Sequence, residues 1–383
     1  MKRKALWISI IGILLIGFVC LFCYRHYIRQ KQIEQKKHTG LVSEDFPVQD
    51  IKHQSKNIYE DAYQTEADNQ LQNMRNNNSY TIEDPLLVWN PYGTNTGSFY
   101  YYGVSEQDSY VVCEVTCNNG SEIKHRLKND SDSGVTKTHE YLITGLAPGL
   151  ENHFSLAFYD AGNNLIHTYQ YTVTLKKDKQ IPAITKVEKG NSKSSLTDGL
   201  FAVLGHDKSK AKNIYYYDNN GICRGKTPLN DYRTDRILTI DGKLVYSYSL
   251  TDIAFVNRLG KVEKTLSLGK YELHHDFMYD EKRNELLCLV NDTDKDTIED
   301  VLISVNIETG KIKKLVDFEK MMKSMRKRSV QRKGGKNTYG GTELDWLHLN
   351  SLDMINDKDA VFSSREESVI IKINNIYENP SID

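Results

Sequence analysis

The chain has 383 residues, and its 50 Lys and Arg side chains almost balance its 51 Asp and Glu side chains, for a formal net charge of −1. This length allows two or three domains, and the balanced charge excludes nucleic-acid binding driven by bulk positive charge. The 24 Tyr against 7 Pro are typical of a strand-rich protein with polar turns. Outside the apolar N-terminus the Cys residues form no CxxC pair, so their spacing indicates neither zinc nor a disulfide framework. Cys113 and Cys117 lie on one strand face too far apart to bond each other, whereas Cys223 and Cys288 could pair if their strands are neighbours.

Residues 1–30 contain a long apolar run. It extends from Ala5 to Tyr24 behind a basic cluster at residues 2–4. Its 20 residues would span about 30 Å as a helix, which is the hydrocarbon thickness of a bilayer. A cleaved signal peptide usually has a shorter apolar run and small residues before the cut, and this run ends without them. We therefore predict an uncleaved signal-anchor transmembrane helix, with a cleaved signal as the alternative.

Residues 31–80 are rich in Gln, Lys, Asn, Glu and Asp and contain few large apolar side chains. Within them, the segment Ile51–Arg75 has apolar residues near helical spacing, including Ile58, Ala62 and Leu71. We predict a helical, polar stalk that holds the following domains away from the membrane. A dimerising coiled coil is the alternative, although no heptad pattern is sustained.

Residues 81–178 alternate between strand-like runs and turn clusters. Runs such as Ser98–Val104 and Tyr110–Thr116 are rich in Tyr and Val and are separated by turns of Asn, Asp and Gly. The segment Thr144–Asp160, TGLAPGLENHFSLAFYD, has the turn-then-strand pattern of a fibronectin-type corner. We predict a small β-sandwich of the immunoglobulin or fibronectin type. Its scattered histidines, such as His167, show no partner pattern and are interpreted as structural or exposed.

Residues 190–383 contain a repeated turn. It occurs at Asp218–Gly221, Asn257–Gly260 and Asn306–Gly310, each time between two short strand-like runs. The first residues of these turns are 39 and then 49 residues apart, which is the period of four-stranded propeller blades. We predict a β-propeller domain of three blades and the inner part of a fourth, since the sequence ends where the next outer turn is due.

A basic segment, Asp317–Glu343, lies between the third and fourth repeats and carries eight Lys and Arg residues. We interpret it as a solvated basic helix and loop, with a positively charged lip that attracts anionic substrates as the alternative. The acidic run Asp292-x-Asp294-x-Asp296 lacks the Gly and the Glu that complete a calcium loop. We interpret this run as an ordinary hairpin loop, and we predict no metal site.

The stretch Asp345–Arg365 reads as a β-hairpin and carries the main candidate site. In a regular strand His348 and Asn350 share one face, and Arg365 follows the returning strand, Ala360–Ser364. An imidazole, an amide and a guanidinium in one neighbourhood suit a compact oxyanion. Arg offers a fixed fork of donors, and His can donate or accept.

These motifs resemble the signature of the bacterial arylsulfate sulfotransferases that do not use PAPS. DWLHLNSLDM at Asp345–Met354 and VFSSR at Val361–Arg365 have the order and spacing of that family. HHDF at His274–Phe277 fits an earlier part of the same pattern, and NPYGTNTGSFYY at Asn90–Tyr101 resembles the start of the family's N-terminal β-domain. The resemblance extends from about Leu86 to the end of the chain.

The resemblance implies a transferase that moves a sulfuryl group from a phenolic sulfate ester to a phenol acceptor through a sulfated histidine, without a cofactor. Carried over by motif, His348, Asn350 and Arg365 bind the sulfuryl oxygens, and His348 also exchanges protons. In HHDF only one histidine of a regular strand can face the channel. The match in spacing favours His274, and His275 stays a candidate catalytic residue.

The resembling family has a six-bladed ring, so the resemblance implies a mainly β chain with about half of the propeller. The family's nucleophilic histidine follows the Ser-Ser-Arg motif, and no histidine follows His348 here. We therefore expect a C-terminally truncated enzyme that is inactive or impaired alone. The alternatives are a non-catalytic, membrane-anchored binding or interaction module and a structural or adhesive surface protein.

The family is exported, so the resemblance places the bulk of the chain outside the cytoplasm, on a single-pass membrane helix. The expected ligands are aryl sulfate donors and phenolic acceptors. The expected macromolecular partners are the membrane and either a second copy of the chain or a chain that completes the ring, and not nucleic acid.

Overall fold

The computed structural model describes residues 48–131, 133–181, 199–205, 212–231, 233–333 and 343–383, with short pieces at 24–25, 27, 41–42, 188 and 190–191. Strands predominate in these residues, which confirms the mainly β prediction. No helix in the described ranges is long and apolar enough to cross a bilayer. The predicted anchor from Ala5 to Tyr24 lies outside those ranges except for its last residue.

Seven strands build an N-terminal sheet around one long strand. They are β1 (Leu41–Val42), β2 (Leu86–Trp89), β3 (Ser98–Cys117), β4 (Ile123–Arg126), β5 (Thr136–Thr144), β6 (Glu151–Tyr159) and β7 (Leu165–Thr174). The first half of β3 pairs with β2 and β5, whereas its second half pairs with β4 and β6. The register of β3 against β5 shifts between Val104 and Ser109, which separates the two halves.

The core of this sheet follows from the alternation of its strands. In β6, Phe154, Leu156 and Phe158 are buried, whereas the residues between them are only partly buried. They share one apolar cluster with Phe99 and Tyr101 from the first half of β3. Side chains of a strand alternate between its two faces, so a Tyr-, Val- and Phe-rich run with this spacing buries one face.

Helix α1 (Asp61–Asn76) packs against the N-terminal sheet. Ala67 and Leu71 are buried in a cluster with aromatic side chains of the sheet. The buried side chain of Gln64 accepts a hydrogen bond from the backbone N–H of Val262, at 3.1 Å, in one of the sheets that follow. This packing differs from the polar stalk that we expected, because the helix contacts both the N-terminal sheet and the region after it.

Antiparallel meanders follow, each made of consecutive strands. The first is three-stranded: β8 (Phe201–Val203), β9 (Asn213–Tyr217) and β10 (Cys223–Pro228). The next three are four-stranded: β11 (Ile237–Ile240), β12 (Lys243–Ser247), β13 (Asp252–Val256), β14 (Val262–Ser267); β15 (Tyr271–Asp280), β16 (Glu285–Asp292), β17 (Val301–Asn306), β18 (Ile312–Asp317); and β19 (Leu349–Met354), β20 (Ala360–Ser364), β21 (Val369–Asn374), β22 (Ser381–Ile382). Cys223 and Cys288 lie in different sheets and are free thiols, so the pairing left open by the sequence does not form.

The repeated turns lie between the last two strands of the first three sheets. Each contains a glycine at positive φ, with 76° at Gly221, 83° at Gly260 and 68° at Gly310. Glycine adopts this conformation without steric strain. In the first turn, Asp218 Oδ1 also accepts a hydrogen bond from the backbone N–H of Asn220 at 2.9 Å, which forms an Asx-turn.

The fourth sheet is more complete than we expected. A turn at Asn375, with φ of 55°, precedes β22. Ser381 and Ile382 of β22 pair with Asn374 and Ile373 of β21. The fourth repeat therefore has an outer strand, which the sequence pattern did not reveal because a two-residue strand carries too little periodicity.

Neighbouring sheets pack against each other. Strand β15 contacts β11 in the preceding sheet and β19 in the following sheet. Val245 and Phe277 belong to the apolar cluster between the second and third sheets, and Trp346 and Phe362 to the cluster between the third and fourth. Stacked four-stranded meanders are the architecture of propeller blades. That these sheets form about half of a six-bladed ring stays a prediction.

A buried ion pair within the first meander also contacts the N-terminal sheet region. Arg224 Nε lies 2.7 Å from Asp218 Oδ2, and both side chains are 0% exposed. The same guanidinium donates hydrogen bonds to the backbone carbonyls of Gly145, at 2.7 Å, and Ser121. A Cβ atom at Gly97 would lie 1.9 Å from the Arg224 carbonyl oxygen, so only glycine allows this close approach.

The basic segment between the third and fourth sheets begins with two helices, α2 (Phe318–Met321) and α3 (Lys323–Lys333). The buried hydroxyl of Ser329 donates a hydrogen bond to the carbonyl of Trp346 at 3.1 Å. This bond holds α3 against the segment that precedes β19. Lys327 and Arg328 are exposed. The helix therefore presents positive charge to solvent while its other side packs on the protein.

Candidate functional site

The loop between β16 and β17 runs beside the segment that precedes β19. Thr297 forms a β-bridge with Leu344, and the backbone N–H of Leu349 donates to the carbonyl of Glu299 at 3.1 Å. This pairing joins segments that are distant in the sequence. It places the carboxylate of Glu299 against His348.

Both histidines of the HHDF motif lie in the site because β15 is not a regular strand. The register of β15 against β16 shifts between Leu273 and Phe277, and His275 has φ of 55°. His274 is buried, His275 is half-buried, and their ring centroids are 5.5 Å apart. The expectation that only one of them could face the site assumed regular alternation, which this bulge removes.

A second bulge separates His348 from Asn350. The register of β19 against β20 shifts between Leu349 and Ser351, so Asn350 is the extra residue. His348 has φ of 51° and is only 4% exposed, whereas Asn350 is exposed. The two residues therefore do not share a strand face, and the structure brings His348 but not Asn350 into the interior of the site.

His348 Nδ1 lies between two carboxylates. It is 2.8 Å from Asp345 Oδ2, and it forms an ion pair with Glu299 Oε2. Burial by itself would lower the pKa of His348, but hydrogen bonds to Asp345 and Glu299 outweigh burial and raise the pKa to about 9. The ring is therefore an imidazolium at neutral pH, which can donate protons but has no lone pair for nucleophilic attack.

The same contacts act on Glu299. Burial would raise the pKa of this carboxyl, but its contacts with His275 and His348 outweigh burial and hold the pKa well below its ordinary range. Glu299 is therefore a carboxylate over the whole physiological pH range.

His275 is the more exposed partner of His348. Their Nε2 atoms are 2.9 Å apart, a distance that holds one hydrogen. Because His348 is protonated on both nitrogens, its Nε2 donates and the Nε2 of His275 accepts. The side chain of His275 is 24% exposed against 5% for His348, so this contact leads from the buried carboxylates toward the surface.

Arg365 lies beside His348. Its backbone N–H donates to the carbonyl of His348 at 3.0 Å. Its Nη2 lies 3.4 Å from Asp345 Oδ2, the oxygen that also holds His348, and 2.8 Å from Glu366 Oε1. Asp345 is 0% exposed. A single buried carboxylate therefore holds two cations side by side.

Three residues of the site have a left-handed backbone. The φ angles are 55° at His275, 58° at Glu299 and 51° at His348. For residues of these types the conformation costs about 1 kcal/mol or more, and such residues concentrate at functional sites. Side-chain acceptors hold the strained backbone in place: Asp235 accepts from the N–H of His275 at 3.0 Å, and Asn291 from that of Glu299 at 2.8 Å.

Two groups of side chains could hold a metal ion, because each offers three donor atoms within 4.8 Å of one another. These groups are His274, His275 and Glu299, and Glu299, Asp345 and His348. The acidic run in the loop after β16 is different. Asp292 is neutralised by Lys270 and Lys314, each at 2.6 Å.

Sequence reasoning named His274, His275, His348 and Arg365, and it missed the acidic residues of the site. Asp345 and Glu366 flank the hairpin motifs, so their place beside His348 and Arg365 was a usable signal. No local pattern marks Glu299, because the loop pairing brings it to the site.

Comparison with known proteins identifies one family. The family model described as Arylsulfotransferase (ASST) matches residues 185–383, which is more than half of the chain. No curated protein matches the chain.

Several solved structures are weakly similar to the chain. The WD40 domain of Neurospora crassa Pan2 is 8% identical, with 48% of this chain and 45% of that chain covered and a TM-score of 0.29. Myxococcus xanthus glutaminyl cyclase is 10% identical, with 60% and 83% covered and a TM-score of 0.28. The Cps50 (Swd1) β-propeller domain of Myceliophteria thermophila is 9% identical, with 80% and 85% covered and a TM-score of 0.29. TM-scores this low carry no argument about fold or function.

Proposed function

Because the chain belongs to the arylsulfotransferase family, we propose that its cluster of His275, His348 and Arg365 binds the sulfate group of an aryl sulfate and supports sulfuryl transfer to a phenol. The substrate, the site and the mechanism are proposed here in addition to the family assignment. They are supported by the chemistry of the side chains, since guanidinium and imidazolium groups donate several N–H bonds to a compact oxyanion.

The observation that carries the proposal is the arrangement around Asp345. Its Oδ2 lies 2.8 Å from His348 Nδ1 and 3.4 Å from Arg365 Nη2, so it fixes two cations side by side. A charge-assisted hydrogen bond to an anion contributes about 1.5–3 kcal/mol. Donors that are already fixed need no reorganisation when charge shifts within the sulfuryl group during transfer.

The His348–His275 pair supports a proton-transfer step. A departing phenolate takes up a proton, and general acids of this kind accelerate reactions by about 10²–10⁴-fold. In the proposed step, His275 gives its ring proton to the phenolate oxygen and receives at Nε2 the proton of His348 Nε2, across the 2.9 Å contact. His348 is left neutral beside Asp345 and Glu299, which favour its return to the protonated form.

None of the matched motifs contains the nucleophilic histidine of the family mechanism. The resemblance assigns that role to a histidine after the Ser-Ser-Arg motif, and no histidine follows His348 in the 383 residues. We therefore propose that these residues alone bind aryl sulfates and transfer the sulfuryl group slowly or not at all. If turnover occurs, His274 and His275 are the remaining candidate nucleophiles.

Equilibrium dialysis with para-nitrophenyl sulfate tests the binding site. His348→Gln and Arg365→Gln each remove one cationic donor, so we expect each variant to bind about 10- to 100-fold more weakly. The matched controls His125→Ala and Arg126→Ala lie on β4 of the N-terminal sheet and should bind like the wild type. Circular dichroism confirms that each variant is folded. Equal affinity of both site variants and the wild type would contradict the proposal.

Nitrophenol release in the presence of phenol measures transfer separately from binding. We expect little or no turnover from the 383 residues alone. Robust turnover that His275→Gln abolishes would show that His275 takes part in the transfer, as the general acid or as the nucleophile. Turnover that Arg365→Gln leaves unchanged would indicate a different site.

We also propose, from the N-terminal sequence, that residues 1–30 anchor the protein in the membrane and, from the export of the resembling family, that the bulk of the chain is extracytoplasmic. The proposed domains are a β-sandwich at 81–178, with α1 of the 31–80 segment packed against it, and the propeller domain at 190–383. Mass measurement of the mature protein tests the anchor. A mature N-terminus beyond Tyr24 would overturn it.

A further inference from the structure

We propose that His274, His275 and Glu299 bind a divalent transition-metal ion of the Zn²⁺ class. One donor atom from each residue lies within 4.8 Å of the other two. Donor atoms around a single Zn²⁺, at ligand distances of about 2.0–2.2 Å, lie at most about 4 Å apart, so small side-chain rotations complete the site. Two imidazoles and one carboxylate form the ligand set of zinc and iron sites that keep an open coordination position.

The surroundings of His274 point to a ligand. The residue is only 7% exposed; the backbone of Val290 is within hydrogen-bonding reach of its ring, and at least one ring nitrogen has no partner among the described residues. Buried polar groups normally have a partner, and an unpartnered one calls for an explanation such as a bound ion. The donor atom of His274 faces the same small space as those of His275 and Glu299. A metal ion in that space completes the coordination of the buried ring.

A bound cation would also change the charge of the site. Glu299 and Asp345 form ion pairs with His348, and Asp345 and Glu366 form ion pairs with Arg365. A divalent cation bound beside Glu299 would add positive charge to the donors that Arg365 and His348 offer to a sulfate ester.

The candidate ligands are held in place by their neighbours. The carboxylate of Glu299 is oriented by its ion pair with His348, and the backbone bulge at His275 is held by Asp235. Outer contacts of this kind orient metal ligands and are part of functional metal sites. The short spacing of His274 and His275 is not a metal motif in the sequence, because adjacent residues of a regular strand point to opposite faces.

The experiment uses the full chain without an affinity tag, after treatment with a chelator. Co²⁺ is titrated by its visible absorption, and Zn²⁺ by competition with a chromophoric chelator. We expect one ion per chain, with Zn²⁺ affinity lowered by more than about 10-fold in His274→Ala and in Glu299→Gln, because loss of even an outer contact has that effect. The matched controls His125→Ala and Glu122→Gln should bind Zn²⁺ like the wild type.

A wild-type chain that binds neither ion stoichiometrically overturns the inference, as does unchanged Zn²⁺ affinity in the site variants. Thermal melts guard against misfolding: Zn²⁺ should raise the Tm of the wild type and of His125→Ala, but not that of Glu299→Gln. If His274→Ala does not fold, the wild-type titration and Glu299→Gln decide.

The inference does not depend on the proposed function. Zn²⁺ binding without aryl sulfate binding supports the metal site and contradicts the proposed function. Aryl sulfate binding to a chain that takes up no metal contradicts the metal site alone.

Discussion

Replacing Asp345 with Asn removes one of the two carboxylates that keep His348 protonated. In the wild type, Nδ1 of His348 lies 2.8 Å from Asp345 Oδ2 and pairs with Glu299, and the pKa of His348 is raised from 6.5 to about 9. This difference corresponds to about 3 kcal/mol in favour of the charged ring. Burial opposes it, so the two carboxylates together supply more than this net amount.

We expect Asp345→Asn to lower the pKa of His348 by about 1–2 units, because Glu299 still contacts Nδ1. With Glu299→Gln added, burial dominates and the pKa falls below 6.5. Because the folded-state pKa is raised, the protonated His348 stabilises the folded state fully below pH 6.5, and this stabilisation is lost as the pH rises through about 9. In Asp345→Asn this loss occurs at lower pH.

The measurement is a titration of the histidine ring nitrogens by long-range ¹H–¹⁵N NMR of the metal-free protein, from weakly acidic to alkaline pH. His348→Gln identifies the signal, and urea denaturation over the same range measures the stability. A His348 ring that is neutral at neutral pH in the wild type would refute the reasoning. So would a titration that Asp345→Asn leaves unchanged.

Three further predictions concern the stability of the N-terminal sheet and the first meander. Arg224→Met leaves a buried carboxylate unpaired and should lower the free energy of unfolding by about 3–5 kcal/mol in urea, whereas Lys124→Met, at an exposed pair, should change it by less than about 1 kcal/mol. Gly97→Ala places a Cβ atom 1.9 Å from a carbonyl oxygen and should lower the free energy of unfolding by at least about 1–3 kcal/mol. The control Gly199→Ala meets no atom within 4 Å and should not change it. Equal melting temperatures of Gly97→Ala and the wild type would contradict the close approach. Burial lowers the pKa of His139 to about 4, so the folded state has the full stability from its neutral ring above pH 6.5 and loses up to about 3 kcal/mol as the pH falls through 4. In His139→Asn the free energy of unfolding should depend less on pH between 6.5 and 4.

The mainly β class and the repeated turns could be predicted because their signals are local. Asp218–Gly221, Asn257–Gly260 and Asn306–Gly310 each join an Asx residue to a glycine at positive φ, and neighbouring residues alone determine that chemistry. The outer strand at Ser381–Ile382 was missed because its pairing with β21 is too short to leave a periodic pattern.

The site was only partly predictable. His348 and Arg365 could be named because their residue types and motifs indicate an oxyanion site. The faces of His274 and Asn350 were assigned on the assumption of regular strands, and one inserted residue in a strand moves the residues beside it to the other face. Bulges leave no mark in a pattern of apolar and polar residues when the bulged residue is itself polar.

The sequence by itself determined that His348 and Arg365 follow one another across a hairpin, since the two strands and their turn lie within one short segment. Only the tertiary structure decided that Glu299 and the HHDF histidines surround His348. Glu299 comes from the loop after β16, and its contact with His348 depends on the packing of the third sheet against the fourth. Periodicity shows which side chains face a core, but not which distant loop lies against them. The protonation of His348 depends on those neighbours, and so it could be read only from the fold.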